Sequence, residues 1–248
     1  MPAVDSLAFI GPDLFGGGQE APAVLESMRR LGIDVTVAVP ARPPDYVLGP
    51  ANEALAVAAR SSGGAIVGLG RVDPNQADAA DEAVRCVRRL GLAGLFLHPW
   101  QEVFRANGPR AVAVLSAFSA AGGRIVVVAT GAPWLSEAPQ VADLAGRFPR
   151  VSFVMTNGGQ FNISGLGQQD AMLALSEHPN LYIQTTGVYR QDFIEGVVAR
   201  LGAERVMYAG GSPWFEPGFE VLRVRRAKVS DADRDLLCGG TAARVFGL

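Results

Sequence analysis

Short runs rich in Val, Ile, Leu and Phe recur along the chain, and each is followed by a longer Ala/Arg/Leu-rich stretch with helical spacing. Such alternation imposes parallel strands, because a strand followed by a helix re-enters the sheet in the same direction. Strands are expected at Val4–Ile10, Val35–Val39, Ala65–Leu69, Gly94–Leu97, Arg124–Val128, Val151–Met155, Leu181–Gln184 and Val206–Tyr208. That is the number that closes a barrel, so the expected fold is α/β, a (β/α)8 TIM barrel in one domain over residues 1–248. Between the strands, helices are expected at Ala21–Leu31, Asn52–Arg60, Ala77–Leu90, Pro109–Ala121, Gln140–Arg147, Asp170–Glu177 and Gln191–Leu201, with a C-terminal pair beginning near Ser230. Gly32, Gly91 and Gly202 follow three of them, where a residue tolerant of positive φ ends a helix. A flavodoxin-like sheet would need fewer units and an open edge.

A length of 248 residues, 49% of them hydrophobic and 19% charged, suits one such domain. With 22 Lys+Arg against 24 Asp+Glu, the chain lacks the positive excess that draws nucleic acid or anionic lipid, so neither is an expected partner. No apolar run reaches the roughly 18 residues that span a bilayer, and the first residues lack a basic leader, so a cytoplasmic protein is expected. Cys86 and Cys238 lie far apart in helix-like stretches and are expected as reduced thiols.

In a parallel barrel, polar residues just past the strand ends converge on one mouth. Here those segments carry Asp13, Arg71 to Pro74, His98 to Trp100, Thr130, Asn157 to Gly159, Thr185 to Gly187 and Gly210 to Trp214. They are rich in Gly, Thr, Asn and aromatic residues and poor in acids, bases and nucleophiles.

Several of these phrases resemble an amidohydrolase-related family that includes aminocarboxymuconate-semialdehyde decarboxylase and lactone hydrolases. Gly94–Pro99 (GLFLHP) resembles the family's fourth-strand phrase and Arg124–Gly131 (RIVVVATG) its fifth. Phe148–Gly159, Asn180–Gly187, Arg205–Pro213 and the tail Leu237–Leu248 (LCGGTAARVFGL) resemble the segments that follow, in the same order. The resemblance implies a divalent metal held by an H-x-H pair on strand one, His on strands five and six, and Asp on strand eight. Here the H-x-H pair falls on Leu7-Ala8-Phe9, the strand-five His on Ala129, the strand-six His on Asn157 or Thr156, and the Asp on Gly211. The chain has only two histidines, His98 and His178, and hydrocarbon side chains offer a metal no electron pair. No metal or other cofactor is therefore expected.

His98 is the candidate acid–base residue, against the plainer reading of an imidazole satisfied beside Pro99 and Trp100. Thr130, Asn157, Gln160 and Gln184 are candidate ligand contacts or plain structural polar groups. Trp100, Trp134, Phe161, Trp214 and Phe215 are candidates for a pocket or an interface. Asp5 is expected to make a structural hydrogen bond, Asp13 to shape a turn, and Gly16 to Gly18 to form a loop rather than a phosphate cradle.

Selective loss of metal ligands from a barrel that keeps its fold-marking phrases points to a catalytically silent scaffold. The resemblance implies a homo-oligomer, or a hetero-oligomer with an active amidohydrolase relative. A small-molecule ligand is a further expected partner. The alternative is a metal-independent hydrolase, lyase or decarboxylase acting on a small carbonyl, lactone or carboxylate compound through His98, with Asn157 or Thr130 stabilising negative charge.

Overall fold

The computed structural model describes residues 1–160 and 166–248. Its strands are β1 (Val4–Pro12), β2 (Gly18–Gln19), β3 (Val35–Pro40), β4 (Ile66–Arg71), β5 (Gly94–Leu97), β6 (Ile125–Val128), β7 (Ser152–Met155), β8 (Leu181–Gln184) and β9 (Val206–Met207). The helices are α1 (Ala21–Leu31), α2 (Leu48–Ser61), α3 (Ala79–Arg88), α4 (Pro109–Ala120), α5 (Ala138–Arg147), α6 (Leu166–Glu177), α7 (Gln191–Leu201), α8 (Pro217–Arg225), α9 (Asp231–Asp235) and α10 (Thr241–Phe246). Eight strands match those expected to within two residues at each end, whereas β2 and α8 were not foreseen. From β1 through β3 to β9 all pairings are parallel, and β2 adds a short antiparallel edge to β1.

Side-chain alternation on these strands builds two apolar layers. Phe96, Val127 and Val154 point into the curled sheet with Leu7 and Phe9. Leu95, Leu97, Val126, Val128 and Phe153 point outward to the helices. Helix α3 presses so closely on β4 that a Cβ on Gly70 would lie 2.4 Å from Cys86 Sγ, so only glycine fits there. Burial pushes the Cys86 thiol pKa up, which keeps it the unreactive thiol expected. Cys238 is also unpaired.

The sheet curls round without closing as a regular eight-stranded ladder, which corrects the expectation of a standard closed (β/α)8 barrel. β9 is only two residues long, and the pairing of β1 shifts between Asp5 and Ala8, so the first and last strands cannot run in step. Irregular bonds span the seam instead: Ser6 N–H donates to Tyr208 O at 3.0 Å, Gly211 N–H to Leu7 O at 2.8 Å and Phe9 N–H to Ser212 O at 2.8 Å. The fold is therefore a distorted, curled α/β barrel.

Asp5 pins this seam. Its Oδ1 accepts from Gly210 N–H at 2.7 Å and from Leu7 N–H at 3.0 Å. Burial pushes its pKa up to about 7, although both N–H bonds pull it down. A folded pKa above the unfolded one means that the folded chain holds the proton more tightly. Stability from this group is therefore full below about pH 4 and is lost as pH rises towards 7, a decline on the order of 4 kcal/mol. Asp5→Asn keeps the oxygen acceptor and removes the charge, so urea unfolding at pH 5 and pH 8 is expected to show a much smaller decline in the variant. An undiminished decline would mean that another group causes it.

Candidate functional site

The carboxyl ends of the strands surround a pocket of about 350 Å³. Phe9 at the end of β1, Phe96 on β5 and Trp100 after it form part of the wall, joined by Phe15, Trp214 and Phe215 from loops. The rings hold one another: Phe9 lies 4.0 Å from Trp214 between ring centroids, and Phe96 stands edge-on to Phe9 at 5.6 Å. Polar groups are few, namely His98, Gln101, Thr156, Asn157 and Thr186.

His98 follows β5 and sits against Phe96 and Trp100, at centroid distances of 5.5 and 4.4 Å. It is only 1% exposed, and its Nδ1 has no hydrogen-bond partner among the described residues. Burial pushes its pKa well below the ordinary 6.5, and the positive charge of Arg71 acts in the same direction. The imidazole is thus held neutral at neutral pH.

Of the sequence candidates, the fold brings His98, Trp100, Asn157, Trp214 and Phe215 to this one pocket. Asn157 stands just past β7 with φ +57°, a left-handed conformation that asparagine tolerates. Its Oδ1 accepts from Thr156 Oγ1, which itself accepts from Thr130 N–H at 3.0 Å. Thr130 and Gln184 do not line the pocket: the Thr130 hydroxyl donates to Val128 O at 2.8 Å and the Gln184 amide to Ser6 O at 2.7 Å. Gln160 is buried away from it as well. Trp134 is exposed on the rim, and Phe161 lies outside the described residues. Asp13 shapes its turn by accepting from Phe15 N–H and Gly17 N–H at 2.9 and 2.8 Å. His178 precedes β8, at the other end of the barrel.

Sequence reasoning missed a charged cluster behind His98. Arg71 at the end of β4 is fully buried and donates to Glu102 Oε1 from Nε at 3.0 Å and from one terminal nitrogen at 2.7 Å. It also donates to Gln101 Oε1 and to Pro40 O. Arg42 donates to the same Glu102 oxygen at 2.6 Å and lies 3.9 Å from Asp73. Burial pushes the Glu102 carboxyl up and the Arg71 guanidinium down, each against the pull of the other. The signal was present in an arginine ending an apolar strand, since a charge there needs a buried partner.

The residues at the mouth do not fit the divalent cation that the fold implies. Leu7, Phe9 and Ala129 line the pocket at three of the ligand positions. Gly211 has φ +66°, and a Cβ there would lie 2.5 Å from Thr186 Cγ2, so the strand-eight position admits no carboxylate without displacing its neighbour. Among the described residues no group of three or more His, Cys, Asp or Glu is placed to hold a metal.

The fold is shared with 5-carboxyvanillate decarboxylase from Sphingomonas paucimobilis, at 20% identity and TM-score 0.73 over 93% of this chain and 84% of that one. It is shared also with 2,6-dihydroxybenzoate decarboxylase from Rhizobium, at 16% identity and TM-score 0.75 over 99% and 98% of the two chains. A dihydroxybenzoic acid decarboxylase from Polaromonas, solved with bound manganese and the inhibitor 2-nitroresorcinol, matches at 15% identity and TM-score 0.75 over 99% and 96%. No curated protein matches the sequence at a significant level. These structures of decarboxylases overturn the expectation of a catalytically silent scaffold. The reasoning behind that expectation equated the loss of metal ligands with the loss of chemistry, whereas the pocket still holds a buried imidazole. A family model described as amidohydrolase matches residues 17–248, and the chain belongs to the amidohydrolase family.

Proposed function

We propose that the chain is a metal-independent enzyme acting on a small carbonyl compound, with His98 as its acid–base group. The observation that carries this reading is the buried, neutral imidazole with an unpartnered Nδ1 among the described residues, set in an aromatic pocket at the carboxyl ends of the strands. A neutral imidazole is a base before it is an acid, which favours hydrolysis of a lactone or ester over proton donation to a carbanion. Water bonds to the carbonyl carbon as His98 takes one of its protons, and the carbonyl oxygen becomes an oxyanion facing the amide of Asn157. The carbon–oxygen bond to the leaving group then breaks, and the imidazolium returns its proton to the departing oxygen. Arg71 destabilises the imidazolium, so that return is fast.

Turnover across a panel of lactones and aryl esters tests the reading, with kcat measured against pH. Activity requires the neutral imidazole and is lost as pH falls through its folded pKa. Because that pKa is depressed, kcat is expected to stay flat from pH 8 through 6.5 and to fall only in more acidic buffer. Half-loss at or above pH 6.5 would assign the limb to a different group. As to partners, Phe15, Val103 and Trp134 stand exposed on the rim and support self-association of the chain, which sedimentation velocity measures.

A further inference from the structure

We infer that the pocket takes a neutral aromatic ligand of one or two rings and rejects the corresponding carboxylate. This rests on reading the pocket as the substrate site and adds the class of compound that enters it. Size comes first: a cavity of about 150 Å³ accommodates benzene, so about 350 Å³ accommodates a fused bicyclic compound but not a long chain. Shape and chemistry come next. Six aromatic rings line the space, and Trp100, 39% exposed, stands at its opening where an entering ring would meet it.

The charge preference follows from what is missing among the lining residues and from what stands behind them. Among the described residues that line the pocket there is no lysine or arginine. The Arg71 guanidinium lies 5.6 Å from the centre of the Phe96 ring and is bound to Glu102, donating also to Gln101 Oε1 and Pro40 O. Arg42 shares Glu102 and faces Asp73, so both guanidinium groups are engaged with carboxylates behind the wall and neither is presented to a ligand in the pocket. His98 is neutral, which removes the one remaining cation. Trp214, which lines the pocket, donates its Nε1–H to Asp13 Oδ2 at 3.5 Å, and the Gly17 N–H bond holds the Asp13 carboxyl below its ordinary pKa, so a negative charge stands behind this part of the wall. A carboxylate entering here gives up its water and gains no counter-charge. The same electrostatics expel the carboxylate that hydrolysis produces.

Intrinsic tryptophan fluorescence of the full chain reads binding at Trp100 and Trp214 without requiring turnover. The probes are dihydrocoumarin, its unreactive lactam analogue, the ring-saturated lactam and the ring-opened hydroxyphenylpropanoate. The aromatic lactam is expected to bind at least about tenfold more tightly than the saturated lactam or the carboxylate. Trp100→Leu, at a half-exposed position, is expected to lose about tenfold in that affinity with an unchanged far-UV spectrum. Carboxylate or saturated-lactam binding as tight as that of the aromatic lactam overturns the inference, and so does a failure of all four probes to bind. Selective lactam binding without hydrolysis of dihydrocoumarin upholds the ligand class and counts against the hydrolytic reading alone. Hydrolysis that is inhibited equally by carboxylate and lactam does the reverse.

Discussion

His98→Gln is expected to lower kcat by about 100- to 10,000-fold while changing the affinity for a neutral aromatic ligand only a few-fold. Glutamine has similar bulk and offers both a donor and an acceptor, so it fills the space between Phe96 and Trp100 without taking up a proton. The asymmetry between the two readouts carries the test. If His98 were only a wall of the pocket, the substitution would weaken binding and leave kcat near the parent value. If it moves the proton, binding survives and turnover does not. Single-turnover kinetics with the best substrate of the panel, beside fluorescence titration of the lactam, separates the two. A variant retaining more than a tenth of the parent kcat contradicts the assignment.

Removing Glu102 is expected to cost about 3–5 kcal/mol of stability, read as a melting temperature lower by about 6–15 °C. The size follows from geometry, because Arg71 is fully buried and cannot reach water when its carboxylate is taken away. Arg42 would keep its 3.9 Å approach to Asp73 and its place over the Tyr46 ring. Glu102→Ala therefore leaves a buried charge unpaired, whereas the double variant Arg71→Met, Glu102→Leu removes the ion pair together and is expected to recover much of the loss. Thermal unfolding followed by circular dichroism compares the three proteins. A double variant less stable than Glu102→Ala would show that the pair is held by something other than mutual compensation.

The strand positions were legible because each strand is a short apolar run bounded by Gly, Pro or Asp, and β5 and β8 fall at the residues the pattern gives. The seam was not legible. Irregular closure depends on the shift in β1 between Asp5 and Ala8 and on the brevity of β9, which are properties of pairing between residues some 200 apart. The site was legible in part. His98, Trp100, Asn157 and Trp214 follow strand ends and meet at the mouth, whereas Thr130 and Gln184 share that position in sequence but spend their polar groups on nearby backbone. Phe96 was hidden because an inward-facing aromatic residue on a strand looks like ordinary core. The Arg71–Glu102 contact joins the end of β4 to a loop residue 31 positions on, so the sequence marks the buried charge but not its partner.

Among the described residues no cluster of possible metal ligands forms, but the inactivity inferred from the replaced positions is overturned by the decarboxylase structures that share the fold. Leu7, Phe9 and Ala129 line the pocket without offering a cation a donor, and in this apolar setting burial holds the His98 imidazole neutral.

Metal content measured by elemental mass spectrometry on enzyme dialysed against chelator, with turnover assayed on the same samples, bears most directly on metal-independent catalysis at His98. Full turnover at far below one divalent ion per chain, unchanged when zinc or manganese is restored, is the predicted result. Turnover that disappears with the metal and returns in proportion to the ion bound would contradict it.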